Sequence, residues 1–445
     1  MSIRLSVILI AVSVLSLETA CRRDRGSFLP VDPNAAVFWD RQDTQSAALM
    51  RGMVEEFNAQ SRLLPIRWEH GGGYAEIFRK VSAGIQAGLL PAMAVSYESM
   101  TSEYIAAGTA VPLDRWIHDP QVGLTEKDLS DFFPATLECN RYALHGNRMY
   151  SFPLAKSVLV MYCNREVMRC AGIQKAPETW TDFLEACRTI HQATGKAALA
   201  AVPDCSTFSG MVFSMGGEVY DGSRLQYDGP ESLASFSLLE EMVREGLLSL
   251  APPGTFDDNI ALVRGDAAFV MRSSSSRTYL LKMAGEKGAT LLDIVPIPQK
   301  NPRRPATVLF GPNVTIFPVP EPQQKAAWGF VRWFTQPEQA ARWAVATGYL
   351  PVRRSALTHP LIRQNWDTWP PNRVPYDCLE FARSEPNVDG WQQVRVLVER
   401  ALTEVMSGTR TAREVAEWLQ REGTRALKRA TQAEGRPGRD DRNST

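Results

Sequence analysis

Histidine is scarce in this 445-residue chain and no two cysteines form a CxxC pair, so the familiar spacings of a metal centre are missing. The five histidines (His70, His118, His145, His191, His359) lie far apart, and no metal and no cofactor are expected. The seven cysteines are Cys21, Cys139, Cys163, Cys170, Cys187, Cys205 and Cys378. After Cys21, buried free thiols are favoured over disulfides, whose pairing spacing alone does not give. Excess charge of either sign is also lacking, with 49 Lys plus Arg against 49 Asp plus Glu. That removes any bulk electrostatic case for nucleic acid or an anionic membrane surface. The basic pairs Arg303-Arg304 and Arg353-Arg354 read as solvated faces. No GK[ST] follows the glycine run at 71–73, which excludes a P-loop. There is no nucleophile elbow, no Cys/His constellation and no internal repeat.

What is present begins with an export segment. Arg4 is a minimal basic region, Val7 to Leu17 is apolar, and Ala20 stands before Cys21. This apolar stretch is too short for a bilayer, which needs about 20 residues. It resembles a bacterial lipoprotein signal with Cys21 as the acylated residue, although Glu18 occupies the usual leucine position and Leu17 lies one residue early. Residues 22–34 are charged and proline-containing, a tether, and the polar residues 432–445 read as a flexible tail.

Between them the length suits two lobes, each able to bury a core. The eleven tryptophans suggest cores or ligand-stacking walls. A strand ending in Asp40, a helix from Thr44 and a strand at 64–68 form a βαβ unit, hence a parallel sheet. The glycines before Tyr74 open a helix and offer amide donors at its positive end. A third strand at 91–97 places Glu98 and Ser99 at its carboxyl end, where open α/β sheets bind ligands. Thr125 caps a helical pattern reaching about Tyr142, and Thr179 opens another. Val158 to Tyr162 is an unbroken apolar run, a buried strand that carries Lys156 and Ser157 at its mouth. It reads either as the core strand of one domain or as a hinge strand delivering side chains into a cleft. Arg272 precedes four serines that either cap a helix or face a ligand. Pro296 to Pro305 is a second crossing, and a loop around Tyr349 a third.

The order FW, GGGY, VSYES, SFPLAKSVLVMYCN, PETWTDF, GDAAFVMRSSSS, FGPN, AAWGFVRWF and ATGYLPVRRSAL is similar to the extracellular solute-binding proteins of ABC importers. Within them it most resembles the sugar and glycerol-3-phosphate-binding cluster, over about residues 35–430. The resemblance implies an α/β, two-lobed periplasmic-binding-protein-like fold with three hinge crossings. Lobe I would take 35–153 and 306–346, and lobe II 154–305 and 347–431. The implied partners are a small polar solute (glycerol-3-phosphate, a glycerophosphodiester or a sugar) and the importer's permease subunits. A neutral oligosaccharide is the alternative within the class. A secreted glycoside-acting enzyme using Glu98 is the rival outside it.

Residue by residue, the resemblance implies ligand contacts at Tyr74, Glu98, Ser157, Ser273 or Ser274, Gly311, Tyr349 and Arg395. Asp40, Lys156, Arg272 and Ser206 are additional candidates. Where the glycerol-3-phosphate-binding members carry two ligand-lining tryptophans, this chain has Pro203 and Ser206, which implies a stacking wall either missing or rebuilt from Phe208. Lys156 and Arg272 would add positive charge beside Arg395 and so suit an anionic solute.

Overall fold

The computed structural model describes residues 28–252 and 254–434. Cys21, residues 22–27 of the tether and the tail beyond 434 lie outside the described residues.

Two sheets organise the chain. The first has five strands in the order Ile66–His70, Ala36–Asp40, Met93–Ser96, Asn313–Ile316 and Ser151–Pro153. Its first three strands are parallel, as the βαβ reading requires, and Asn313–Ile316 runs antiparallel between Met93–Ser96 and Ser151–Pro153. Helices such as Glu321–Phe334 cover it with Trp328, Phe330 and Phe334. The second sheet has seven strands and is built on Ser157–Asn164. One edge of that strand pairs with Phe269–Ser273. The other pairs first with Thr307–Phe310 and then with Leu292–Pro296. Successive side chains of a strand alternate faces. Leu159, Met161 and Cys163 accordingly enter one apolar cluster, and Val158, Val160 and Tyr162 another. A strand buried on both faces reads as continuously apolar, which is why this stretch stood out.

The chain passes between the sheets at three places that touch one another. Ser151–Pro153 lies in the first sheet and Ser157 begins the second. Lys156 and Leu350 exchange backbone hydrogen bonds of 3.0 and 2.6 Å, tying the first crossing to the third. Leu154 N–H donates to the Pro312 carbonyl at 3.1 Å, tying it to the second. Gly311 makes this approach feasible. Its φ is +125°, and a Cβ there would stand 3.0 Å from both the Ala155 oxygen and the Lys156 Cα. Gly348 has φ +79° and a virtual Cβ 2.7 Å from the Ser275 carbonyl oxygen.

Several local expectations need correction. The second crossing lies at Gly311-Pro312, not near Pro305, because Thr307–Phe310 still pairs in the seven-stranded sheet. The tether is fixed before residue 34. Leu29–Pro30 pairs with Leu89–Leu90, and Phe28 N–H bonds the Pro318 carbonyl at 2.8 Å. The helical pattern from Thr125 breaks into Glu126–Asp131 and Pro134–Glu138, since Pro134 starts a new helix and supplies no amide to continue the old one. Arg353 is no solvated face: it is 4% exposed, donates to Asp128 at 2.8 Å and lies over the Phe132 ring. All six described cysteines are free, Cys170 exposed and the other five buried.

Candidate functional site

The first sheet delivers its carboxyl ends to the place where the sheets meet. There Tyr74, first residue of the helix Tyr74–Ala87, stacks on Tyr97 with ring centroids 3.8 Å apart. A guanidinium stands over each ring, Arg41 over Tyr74 and Arg395 over Tyr97, both 5.2 Å from the centroid. Arg41 directly follows the strand Ala36–Asp40 and donates to the Tyr349 hydroxyl at 2.9 Å. Arg395 rises from the helix Trp391–Met406, whose inward residues Trp391, Val394 and Val398 pack into the seven-stranded sheet's core. Tyrosines of one lobe and an arginine of the other thus form one aromatic wall.

Four of the expected contacts gather here: Tyr74, Tyr349, Ser206 and Arg395. Arg395 Nη1 donates to Ser206 Oγ at 3.2 Å and is ion-paired with Glu385. Glu385 also accepts from Ser209 Oγ at 3.0 Å and Cys205 Sγ at 3.3 Å. Burial pushes the Glu385 carboxyl above its ordinary range even with Arg395 beside it. Neither Glu385 nor Arg41 was legible as a site residue beforehand. Arg41 had one usable signal, its position just past the carboxyl end of a parallel strand.

Glu98, Lys156, Ser157, Ser274 and Gly311 sit at or beside the crossings. Lys156, fully buried, reaches Glu98 Oε1 at 2.9 Å, and Asn313 Nδ2 donates to the same oxygen at 2.9 Å. Burial opposes the Glu98 charge, but Lys156 and Asn313 outweigh it and the carboxyl titrates below its usual range. Ser157 Oγ donates to the Phe310 carbonyl at 3.3 Å, and Ser274 Oγ accepts from the Val158 amide at 3.2 Å. Ser273 Oγ lies 2.8 Å from Ser275 Oγ, and no serine side chain caps the helix Ser276–Ala284. Asp40 is buried, its oxygens accepting from the Arg41 amide at 2.8 Å and the Trp68 indole at 3.1 Å.

Three electrostatic expectations are corrected. Lys156 brings no free charge because Glu98 takes it. Arg272 brings none because Asp258 binds it through two contacts of 2.5 and 2.7 Å. The amide donors at the start of the Tyr74–Ala87 helix are partly engaged by the chain itself. The Glu76 carboxylate folds back on its own amide and that of Gly73, and its pKa falls below the usual range through its own amide first and Arg79 after. Phe208 builds no stacking wall either: it is 1% exposed and stacks on Phe236 in the core.

Comparison with known proteins agrees with this architecture. Over 415 residues the chain is 22% identical to the sn-glycerol-3-phosphate-binding periplasmic protein UgpB of Escherichia coli K12, covering 88% of this chain and 92% of that protein. Its fold matches the crystal structure of UgpB from Mycobacterium tuberculosis in complex with glycerophosphocholine, with a TM-score of 0.79 and 21% identity over 89% of this chain and 99% of that one. It also matches the cyclic alpha-maltosyl-1,6-maltose binding protein from Arthrobacter globiformis, with a TM-score of 0.76 and 20% identity over 89% and 100%. The family model for bacterial extracellular solute-binding proteins matches residues 52–370, and the chain belongs to that family.

Proposed function

We propose that this chain is an exported, non-catalytic solute-binding protein that captures a small hydroxylated solute bearing a phosphate and hands it to the permease of an ABC importer. The observation that carries this reading is the Tyr74–Tyr97 stack with a guanidinium over each ring. Guanidinium forks match phosphate oxygens, and tyrosine faces and hydroxyls suit a polyol. Two relatives whose names include glycerol-3-phosphate or glycerophosphocholine support it. Glu98, Ser157, Ser273, Ser274 and Gly311 would complete the site from the hinge, and Cys21 would hold the protein at the membrane through a lipid. Our division gives lobe I residues 35–153 and 313–346, and lobe II residues 154–310 and 347–431.

A neutral oligosaccharide is the second reading. The pairing of Lys156, Arg272 and Arg395 with carboxylates favours it, since little unbalanced charge remains. Calorimetry on the wild type with glycerol-3-phosphate, glycerophosphocholine, maltose and trehalose at two salt concentrations separates the two. Phosphate esters should bind more weakly at high salt, because exposed charges are screened within about 10 Å at 0.1 M. Tight, salt-insensitive binding of a disaccharide with no heat from either ester defeats the phosphate reading. Turnover of a glycoside would defeat both.

A further inference from the structure

Three of the cations near the hinge and cleft already have an anion: Lys156 has Glu98, Arg395 has Glu385 and Arg272 has Asp258. Arg41 differs. Among the described residues its side chain has one hydrogen-bond partner, the Tyr349 hydroxyl at 2.9 Å, and no ion pair. Neighbouring Asp40 attracts the guanidinium through space but makes no ion pair with it, its oxygens accepting from the Arg41 amide and the Trp68 indole. Two buried polar atoms in this same cluster have no partner, the Arg41 Nε and the Tyr74 hydroxyl. Burying a donor unpaired costs free energy, and a guanidinium more than most. Burial also keeps the Tyr74 hydroxyl protonated, its pKa well above the ordinary range, so it can donate.

We propose that Arg41, with the Tyr74 hydroxyl, is the residue that takes the anionic group of the solute, and that Tyr349 holds its guanidinium in place. The assignment rests on the phosphate reading and sharpens it. It moves the negative charge to the first-sheet end of the aromatic wall, away from Arg395, whose charge Glu385 already balances. Arg395 then positions Tyr97 and the polyol part. Because Arg41 Nε and the Tyr74 hydroxyl are covered, the anion enters while the lobes are apart.

The test is calorimetry with glycerol-3-phosphate at low and high salt on the wild type, Arg41→Gln, Arg41→Lys and Arg395→Gln, each checked for folding by circular dichroism. Arg41→Gln should weaken binding at least about tenfold, the loss of one charge-assisted contact, and abolish the salt dependence. Arg41→Lys should retain part of the salt dependence, because the charge stays while the fork is lost. Arg395→Gln, whatever affinity it loses, should still bind glycerol-3-phosphate more weakly at high salt than at low. If Arg41→Gln binds like the wild type and Arg395→Gln loses the salt dependence, the assignment is overturned while the phosphate reading stands. If the wild type binds maltose and gives no heat with glycerol-3-phosphate, both fall. Should Arg41→Gln fail to fold, Tyr74→Phe carries the test: weaker binding supports the assignment, and unchanged affinity and salt dependence overturn it.

Discussion

Replacing Lys156 by methionine tests the hinge electrostatics most sharply. Lys156 is fully buried and Glu98 is 6% exposed, so the lost ammonium is not replaced by water. Breaking a buried pair by removing one partner costs about 3–5 kcal/mol, because the surviving charge is left uncompensated. Asn313 Nδ2 still donates to Glu98 Oε1 at 2.9 Å, and a hydrogen bond to a charged group contributes about 1.5–3 kcal/mol. The cost should therefore lie near the low end, about 3 kcal/mol. The neighbouring Cys139 thiol adds no second negative charge. Burial holds its pKa far above the ordinary range, so it stays neutral.

The pH dependence gives the signature. In the wild type Glu98 titrates below 4.5, so its stabilisation is complete above that pH and disappears as the pH falls through the lowered value. In Lys156→Met, burial acts with only Asn313 against it and the Glu98 pKa should rise above its unfolded value. Stability is then greatest at acid pH and falls as the pH rises through that value. Urea unfolding at pH 7 and pH 5 should show a large deficit that shrinks at the lower pH. Lys156→Met with Glu98→Gln should recover most of it, a coupling of about 2 kcal/mol or more. A deficit under about 0.5 kcal/mol at pH 7, as for an ordinary surface change, would refute the reasoning.

Further outcomes follow from particular contacts. Arg395→Ala leaves Glu385 buried beside Ser209 and Cys205 without its cation, so urea unfolding should show a loss that is larger at pH 7 than at pH 5. The sign follows from the raised Glu385 pKa, whose stabilisation is present at low pH and lost as the pH rises through it. Gly348→Ala forces a left-handed φ of +79° and a Cβ 2.7 Å from the Ser275 carbonyl, and thermal melting should show a loss of about 1–3 kcal/mol. Small-angle scattering should show compaction when a bound solute completes contacts across Tyr97 and Arg395, and an unchanged radius at saturation would defeat the hinge account. Cys21→Ser should release the protein from the membrane fraction with solute binding intact, and equal partitioning of mutant and wild type would exclude a lipid tether.

Much of the fold was legible where local chemistry decides it. The run from Val158 to Tyr162 could hardly be anything but a strand buried on both faces, and Thr179 and Thr125 cap helices as their side chains predict. The strand Ala382–Ser384 was not legible. Three residues carry no periodicity, and their partners are Thr307, Val308 and Leu309, far away in sequence. The site was legible in its residue types but not in its pairing. Glu98 and Lys156 are separated by 58 positions, and only folding decides that they meet. Arg395 and Glu385 are ten apart, one in a helix and the other in the loop before it, so no helix-spacing rule links them. The charge balance of the cleft is a property of such pairs, which is why Lys156 and Arg272 read as free cations until their partners were seen.

The central claim is that the cleft holds a phosphate-bearing polyol. Protein purified from its own source without refolding can be denatured and the released small molecules measured by mass spectrometry. The account predicts a phosphorus-containing solute of the glycerol-phosphate class at about one per chain. Release of a neutral hexose oligomer at that stoichiometry, with no phosphorus, would contradict it.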